Sequence, residues 1–216
     1  MKKLIAIVLL ISLYGCHKEK AETNQAGKSQ GAWPFIKGNY WIYTDSLFTE
    51  NGNPFVIFPH DTTFVNDSIN FQSKYFYGPD GLSKSLYYRQ DEDHITVEGY
   101  EDDLKTSYIL FKQVSTNNTI IYSEQSDDTF YLNGNYKNYH VVKTLTGYTD
   151  VTKIDGYDCI RNELVETFSG DTSYKQILYV KPGVGLVRLL IYNMKNETPG
   201  SLFLQSKRDL VGYKLY

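Results

Sequence analysis

The chain has 216 residues, 41% hydrophobic, 22% charged and 15% aromatic, with 20 Tyr against 2 Trp, 2 Met and 2 Cys. This is globular composition, neither disordered nor collagenous. A formal net charge of −3 supplies no basic surface for a phosphate backbone, and two cysteines cannot staple a domain this large, so composition argues against nucleic-acid binding and against a disulfide scaffold.

In chain order, Met1, Lys2 and Lys3 form a positive start, and Leu4 to Tyr14 an apolar run of eleven residues that Gly15-Cys16 closes. Eleven residues at ~1.5 Å rise cover about half of a ~30 Å hydrocarbon core, so the segment reads as a signal peptide, residues 1–15, not a membrane span. Its ending, Leu13-Tyr14-Gly15-Cys16, resembles the lipobox of bacterial lipoproteins, which implies a thioether-linked diacylglycerol on Cys16 and a mature chain that begins there. Acyl chains bury CH₂ groups at ~0.8 kcal/mol apiece, enough for stable anchoring when two or more are present. Without Lys2 and Lys3 the mature chain carries 20 basic and 25 acidic side chains. Such an acidic body gains nothing from anionic headgroups, so attachment rests on the lipid. Residues 16–31 hold the lipidated cysteine and a polar tether, His17 to Gly31, without aromatic or large aliphatic side chains. Such a segment cannot bury enough apolar surface to order itself, and its r.m.s. span is on the order of 20 Å. With Cys16 consumed by lipid, Cys159 has no disulfide partner.

From residue 32 to 216 the pattern is that of one antiparallel β domain. Runs rich in Tyr, Phe, Ile, Val and Thr alternate with turn signals every 8 to 15 residues. Strands are expected near 39–48, 55–58, 74–77, 84–90, 94–100, 106–112, 119–123, 136–146, 157–168, 173–180, 186–192 and 202–216, the last with a break. Reversals are expected at Asn51-Gly52-Asn53-Pro54, Gly78-Pro79-Asp80-Gly81, Asn133-Gly134-Asn135, Gly170-Asp171 and Pro199-Gly200. The stretch Asp61 to Gln72 is where a short helix is conceivable. Several strands are apolar on both faces, so a second layer covers them or the sheet curls; the expected fold is a curved sheet, half-barrel or sandwich of about 10 to 12 strands. A filled interior is the simpler expectation and a ligand cavity the alternative.

Two motifs bracket the domain, Pro34-Phe35-Ile36-Lys37-Gly38-Asn39-Tyr40-Trp41-Ile42-Tyr43 and Tyr179-Val180-Lys181-Pro182-Gly183-Val184-Gly185-Leu186-Val187. This pairing resembles a group of Bacteroidota cell-envelope lipoproteins that carry no established activity. The resemblance implies an all-β fold and an envelope location. In outline that group is similar to curved-sheet carriers of the Lol type, which hold acyl chains in an apolar hollow; this second step is analogy of fold alone.

Reactive chemistry is sparse. The chain contains no G-x-S-x-G, H-E-x-x-H, C-x-x-C or P-loop motif, and no cofactor is expected. His60, His94 and His140 are far apart in sequence, and Cys159 sits in a strand as a small hydrophobe. Acidic residues gather in expected loops. In a meander, alternate loops share an end, so Asp80, Asp102, Asp103, Asp127 and Asp128 are the weak candidates for a hard cation, although solvated turn acids are the simpler reading. A glycan-degrading enzyme needs two carboxylates facing each other within ~5 to 10 Å, for which Glu98, Glu163 and Glu166 are the strand residues to consider. The tyrosines are the compositional oddity. Tyr40, Trp41, Tyr43, Tyr87, Tyr88, Tyr136 and Tyr139 are the candidates for an aromatic platform, against the plainer fact that Tyr suits a half-buried pleated surface.

The expectation is therefore a lipid-anchored envelope protein, in the outer membrane of a Gram-negative bacterium, that acts without catalysis as a binding module for an apolar or glycan ligand. A structural lipoprotein with a filled core that docks an envelope protein is the alternative, and a glycan-degrading enzyme the third reading.

Overall fold

The structure, a computed structural model, describes residues 33–35, 38–71, 74–80, 86–91, 93–101 and 104–216. Cys16 and the tether lie outside them, as do Asp102 and Asp103. The strands are β1 (Tyr40–Phe48), β2 (Pro54–Phe71), β3 (Lys74–Asp80), β4 (Leu86–Gln90), β5 (His94–Glu101), β6 (Leu104–Lys112), β7 (Thr119–Leu132), β8 (Asn135–Ile154), β9 (Tyr157–Phe168), β10 (Asp171–Lys181), β11 (Gly185–Lys195) and β12 (Thr198–Lys214). They hydrogen-bond in the order β6-β5-β4-β3-β2-β1-β12-β11-β10-β9-β8-β7. Two six-stranded meanders are thus joined through the first and last strands. Among the described residues β3 and β4 share one residue pair, Tyr77 with Tyr88, so β4 to β6 form a three-stranded flap on a nearly continuous antiparallel sheet that does not close into a barrel.

All twelve expected strands are present, most of them longer than expected. The conceivable helix at Asp61 to Gln72 is strand: β2 runs through Phe71 and pairs with β3 from Phe64↔Asp80 to Phe71↔Lys74. A partner strand outweighs the weak local preference of the Asn and Asp residues. Two expected reversals are also corrected. Gly78, Pro79 and Asp80 belong to β3, with Pro79 next to a register shift between Val65 and Asp67, where a missing N–H is tolerated. Pro199 and Gly200 belong to β12; the chain reverses at Asn196 and Glu197, both at positive φ. Asn133-Gly134 and Asp155-Gly156, again with both φ values positive, are two-residue turns whose twist matches that of their flanking strands.

The sheet's concave side holds the core, and it is densest where the two bracketing motifs meet. The segment before β1 folds back so that Trp33 stacks on Phe35 (ring centroids 4.8 Å) and Phe35 on Tyr88 (5.1 Å), with Trp41 edge-on to both Trp33 and Phe35. Gly185 is the floor beneath Trp33. Its φ is +111°, and a Cβ there would stand 2.4 Å from the indole, so both conformation and space demand glycine. The Trp41 indole N–H donates to the Val184 carbonyl at 2.6 Å. Asn39, fully buried, donates to the Pro34 carbonyl and accepts from the Tyr216 N–H, each at 2.8 Å. Glycine and proline in these motifs therefore serve close packing between the chain's beginning and end.

Besides the rings packed on Tyr88, one side chain ties the flap to the concave face. Asn162 on β9 is 1% exposed. Its Oδ1 accepts from the Lys112 N–H at 2.8 Å and its Nδ2 donates to the Lys112 carbonyl at 3.1 Å. Lys112 ends β6, an edge strand, and a side-chain amide occupies both backbone groups that a neighbouring strand would otherwise take. Next to it, Val114 of the β6–β7 loop rests on Gly147, where a Cβ would meet a Val114 methyl at 2.7 Å. The sheet curls, and these contacts brace the curl on the β6 side.

Replacement of Asn162 by Ala leaves a buried N–H and C=O without partners. The expected loss is roughly 2–4 kcal/mol of unfolding free energy, read from urea denaturation. A variant as stable as the wild type would mean that Lys112 is hydrated and the flap is not clamped.

Candidate functional site

Away from the aromatic core, toward the β11–β12 turn, the curled sheet leaves a hollow of about 390 Å³ that opens to solvent. β6 forms one wall with Tyr108, Ile109 and Leu110, β7 contributes Tyr122, and strands β8 to β11 form the floor. The floor is legible in the register. Leu145 pairs with Leu164 and Lys143 with Glu166 across β8 and β9; Leu164 and Glu166 pair in turn with Gln176 and Tyr174 of β10, then with Ile191 and Asn193 of β11. Direct partners in an antiparallel sheet share a face, so a row that is apolar but for Gln176 and a polar row lie side by side under the flap.

The polar groups are partly committed. Tyr174 Oη donates to Gln176 Oε1 at 2.9 Å, the Ser173 hydroxyl to Glu166 Oε1 at 3.2 Å, and Asn193 Oδ1 accepts from the Met194 N–H at 2.8 Å. Burial pushes the Tyr122 phenol up to about 12, with the Glu124 carboxylate and Tyr108 adding to it. The Tyr174 phenol is raised by burial, then Glu166, then Tyr108. On the core side, Tyr88 is pushed up to about 12 by burial and then by Tyr108. Tyr108 therefore stands electrostatically among three phenols, and Tyr122 remains an O–H donor throughout the neutral range.

A second polar cluster spans β1, β2 and β12 on the same concave side. The Arg208 guanidinium holds Asp45 with two bonds, 2.7 and 2.6 Å, and Asp61 with one of 2.7 Å. It also lies 5.0 Å from the Tyr43 ring centre. The Tyr43 hydroxyl has no partner among the described residues, and its phenol is raised strongly, by burial first. With all of its charged members paired, this cluster holds strands together and presents no reactive group.

The expected aromatic platform does not assemble. Trp41 and Tyr43 are 0% and 1% exposed and belong to the core with Tyr88; odd-numbered positions of β1 face inward, where the core claims them. Tyr40 is on the opposite face of β1, tilted on Phe64. Tyr136, 76% exposed, pairs with Tyr131 at the β7–β8 tip, while Tyr139 packs with Phe130 and Phe168. The side chain of Tyr87 lies outside the described residues. The tyrosines that do gather are Tyr108, Tyr122 and Tyr174, which spacing in sequence could not single out because they come from strands brought together only by the curl.

Nor do the acidic candidates assemble. Asp127 and Asp128 are not in a loop, because β7 continues to Leu132. As neighbours in a strand they point to opposite faces, Asp127 to His140 Nδ1 at 2.9 Å and Asp128 to the Ser126 hydroxyl at 2.6 Å. The side chain of Asp80 lies outside the described residues. Among the described residues no three His, Cys, Asp or Glu side chains form a group able to hold a metal ion. Of the strand glutamates, Glu163 and Glu166 stand on opposite faces of β9: Glu163 binds Lys175 at 2.8 Å and Arg161 at 3.2 Å on the convex side, and Glu166 faces the hollow. The Glu98 side chain lies outside the described residues. His94 sits between Asp91 and Asp93 at 3.1 and 2.7 Å, and its hydrogen bond holds the Asp93 carboxyl below the usual carboxylate range, aided by Lys112. Cys159 is fully buried, with its thiol pushed up to about 11, chiefly by burial.

No family profile and no curated protein matches the chain. Two solved structures are similar to it. One is a candidate lipoprotein from Parabacteroides distasonis ATCC 8503, 14% identical, with a TM-score of 0.43, covering 87% of this chain and all of that one. The other is a candidate exported protein with a YmcC-like fold from Bacteroides fragilis, 13% identical, with a TM-score of 0.34, covering 86% of this chain and all of that one.

The buried phenols fix the alkaline limit of stability. Tyr88 and Tyr122 rise in the fold from 10.0 to about 12, so their contribution is complete below about pH 10 and is lost as pH climbs through about 12. The urea midpoint is expected to be flat through neutral and mildly alkaline pH and to fall above about 10, together with a late class of phenolate absorbance. A single titration of all tyrosines near 10 with no change in midpoint would contradict this burial.

Proposed function

We propose that this chain is a lipid-anchored envelope protein of the outer membrane, held through Cys16, whose β domain binds a small ligand in the hollow beneath the β4–β6 flap and performs no catalysis. The observation that carries the reading is the hollow itself. About 390 Å³ falls in the range of sites that enclose a small molecule, and its floor joins apolar residues to a few convergent polar groups. Packing that simply filled the interior would have closed this space with larger side chains, as it does around Trp41. The separation of Glu163 and Glu166 onto opposite faces favours binding over glycoside hydrolysis, which needs facing carboxylates. The Cys16 anchor rests on the lipobox-like ending, and a tether of about 20 Å reach would set the domain off the headgroups.

A second reading, docking of an envelope protein, is favoured by Phe55, Ile57 and Phe58 near the start of β2, each more than half exposed. None of the three lines the hollow, so the two readings concern different surfaces.

Membranes from cells that make the full chain should yield an acylated amino terminus at Cys16 by mass spectrometry, and a Cys16→Ser variant should move to the soluble fraction. Native mass spectrometry of the detergent-extracted protein should show a co-purifying mass that Leu164→Arg, which fills the hollow, removes. An unmodified Met1 would refute the anchor; identical spectra for wild type and Leu164→Arg, both without added mass, would refute the binding role.

A further inference from the structure

Resting on the reading of the hollow as a binding site, we infer that its ligand is a neutral saccharide and not an acyl chain. The floor and the rim differ in chemistry. Leu164, backed by its fully buried cross-strand partner Leu145, faces the hollow with Leu110 above it, an apolar surface on which the C–H face of a sugar ring can rest. Around it stand groups with bonding capacity to spare. The ammonium of Lys143 has no hydrogen-bond or ion-pair partner among the described residues. Gln176 uses its carbonyl oxygen for Tyr174, and its amide nitrogen has no partner among the described residues. Glu166 takes the Ser173 hydroxyl on Oε1, which leaves Oε2 to accept. A ring of hydroxyls can donate to the carboxylate and accept from the ammonium and the amide, while its apolar face lies on the leucines.

An acyl chain would exclude water from the same three side chains and return nothing. Each such group costs roughly tenfold or more in affinity. A carrier of alkyl chains would be lined on all sides by aliphatic groups, whereas Tyr108, Tyr122 and Tyr174 each bring a hydroxyl to this wall. Charge narrows the class further: Lys143 and its cross-strand neighbour Glu166 carry opposite charges without forming an ion pair, so the floor holds no net positive charge for an acidic sugar. Space for one or two rings is what about 390 Å³ provides.

The test is a glycan array probed with the detergent-solubilised full chain, followed by calorimetry with the best-binding oligosaccharide and, separately, with myristate. The expected result is binding of at least one neutral glycan. It should weaken tenfold or more in Gln176→Leu and in Lys143→Met, which are expected to keep the wild-type urea midpoint, and disappear in Leu164→Arg. Binding of myristate with no glycan bound would overturn the saccharide assignment and leave the binding reading standing. Neither glycan nor myristate bound, with no co-purifying mass, would overturn both. Glycan binding unchanged by all three substitutions would place the sugar elsewhere and overturn the assignment to this hollow.

Discussion

A sheet with twelve strands and two free edges stays curled through contacts between its flap and its floor, and the bond from Asn162 to the Lys112 backbone is the one that caps the edge strand itself. An edge strand presents unpaired N–H and C=O groups that favour pairing with another chain. Here the last residue of β6 is capped by a carboxamide that reproduces the donor and acceptor of a peptide unit, from the concave face of β9. This contact sets the distance between flap and floor. That distance in turn bears on which side chains touch: Phe111 and Ile95 are buried in the core, and Tyr108 and Leu110 line the hollow.

Two ends of one concave face then receive different treatment. At the end where β1 begins, aromatic rings from the segment before β1 fill the curl down to a glycine floor. At the other, turns are tied to one another: the Asn196 N–H donates to Glu50 at 3.0 Å, and the Asn133 N–H to Glu197 at 2.6 Å. This links the β1–β2, β7–β8 and β11–β12 reversals without filling the space between flap and floor. The hollow is thus flanked by a plug and a ring of turns, with the Arg208 cluster pinning the central strands. Rigid surroundings of this kind are what preorganised recognition of a small ligand requires.

Most of the fold was legible because an antiparallel meander is a local pattern. Alternation over five to ten residues marks a strand, and Asn133-Gly134 marks its reversal. Where longer pairing prevailed over local preference, as at Asp61 to Phe71 and at Pro199-Gly200, the reading failed. The bracketing motifs were legible as motifs but not as partners, since Trp41 and Val184 meet across 143 residues. For the candidate site the failure has one cause. Residue type announced that tyrosine mattered, yet the face on which each tyrosine lands depends on register and curl, so Trp41 and Tyr43 went to the core and Tyr108, Tyr122 and Tyr174 to the hollow. Asn162 gave no signal at all: one asparagine in a strand looks like any surface residue until the strand opposite it is known.

Amide hydrogen exchange at Lys112 in the native protein tests this account most directly. If the flap is clamped, this edge-strand N–H should exchange as slowly as amides in the centre of β9 and β10, and by the same global opening. Exchange at the rate of a solvent-facing edge amide, with β9 and β10 still protected, would contradict the clamp and with it the curl that forms the hollow.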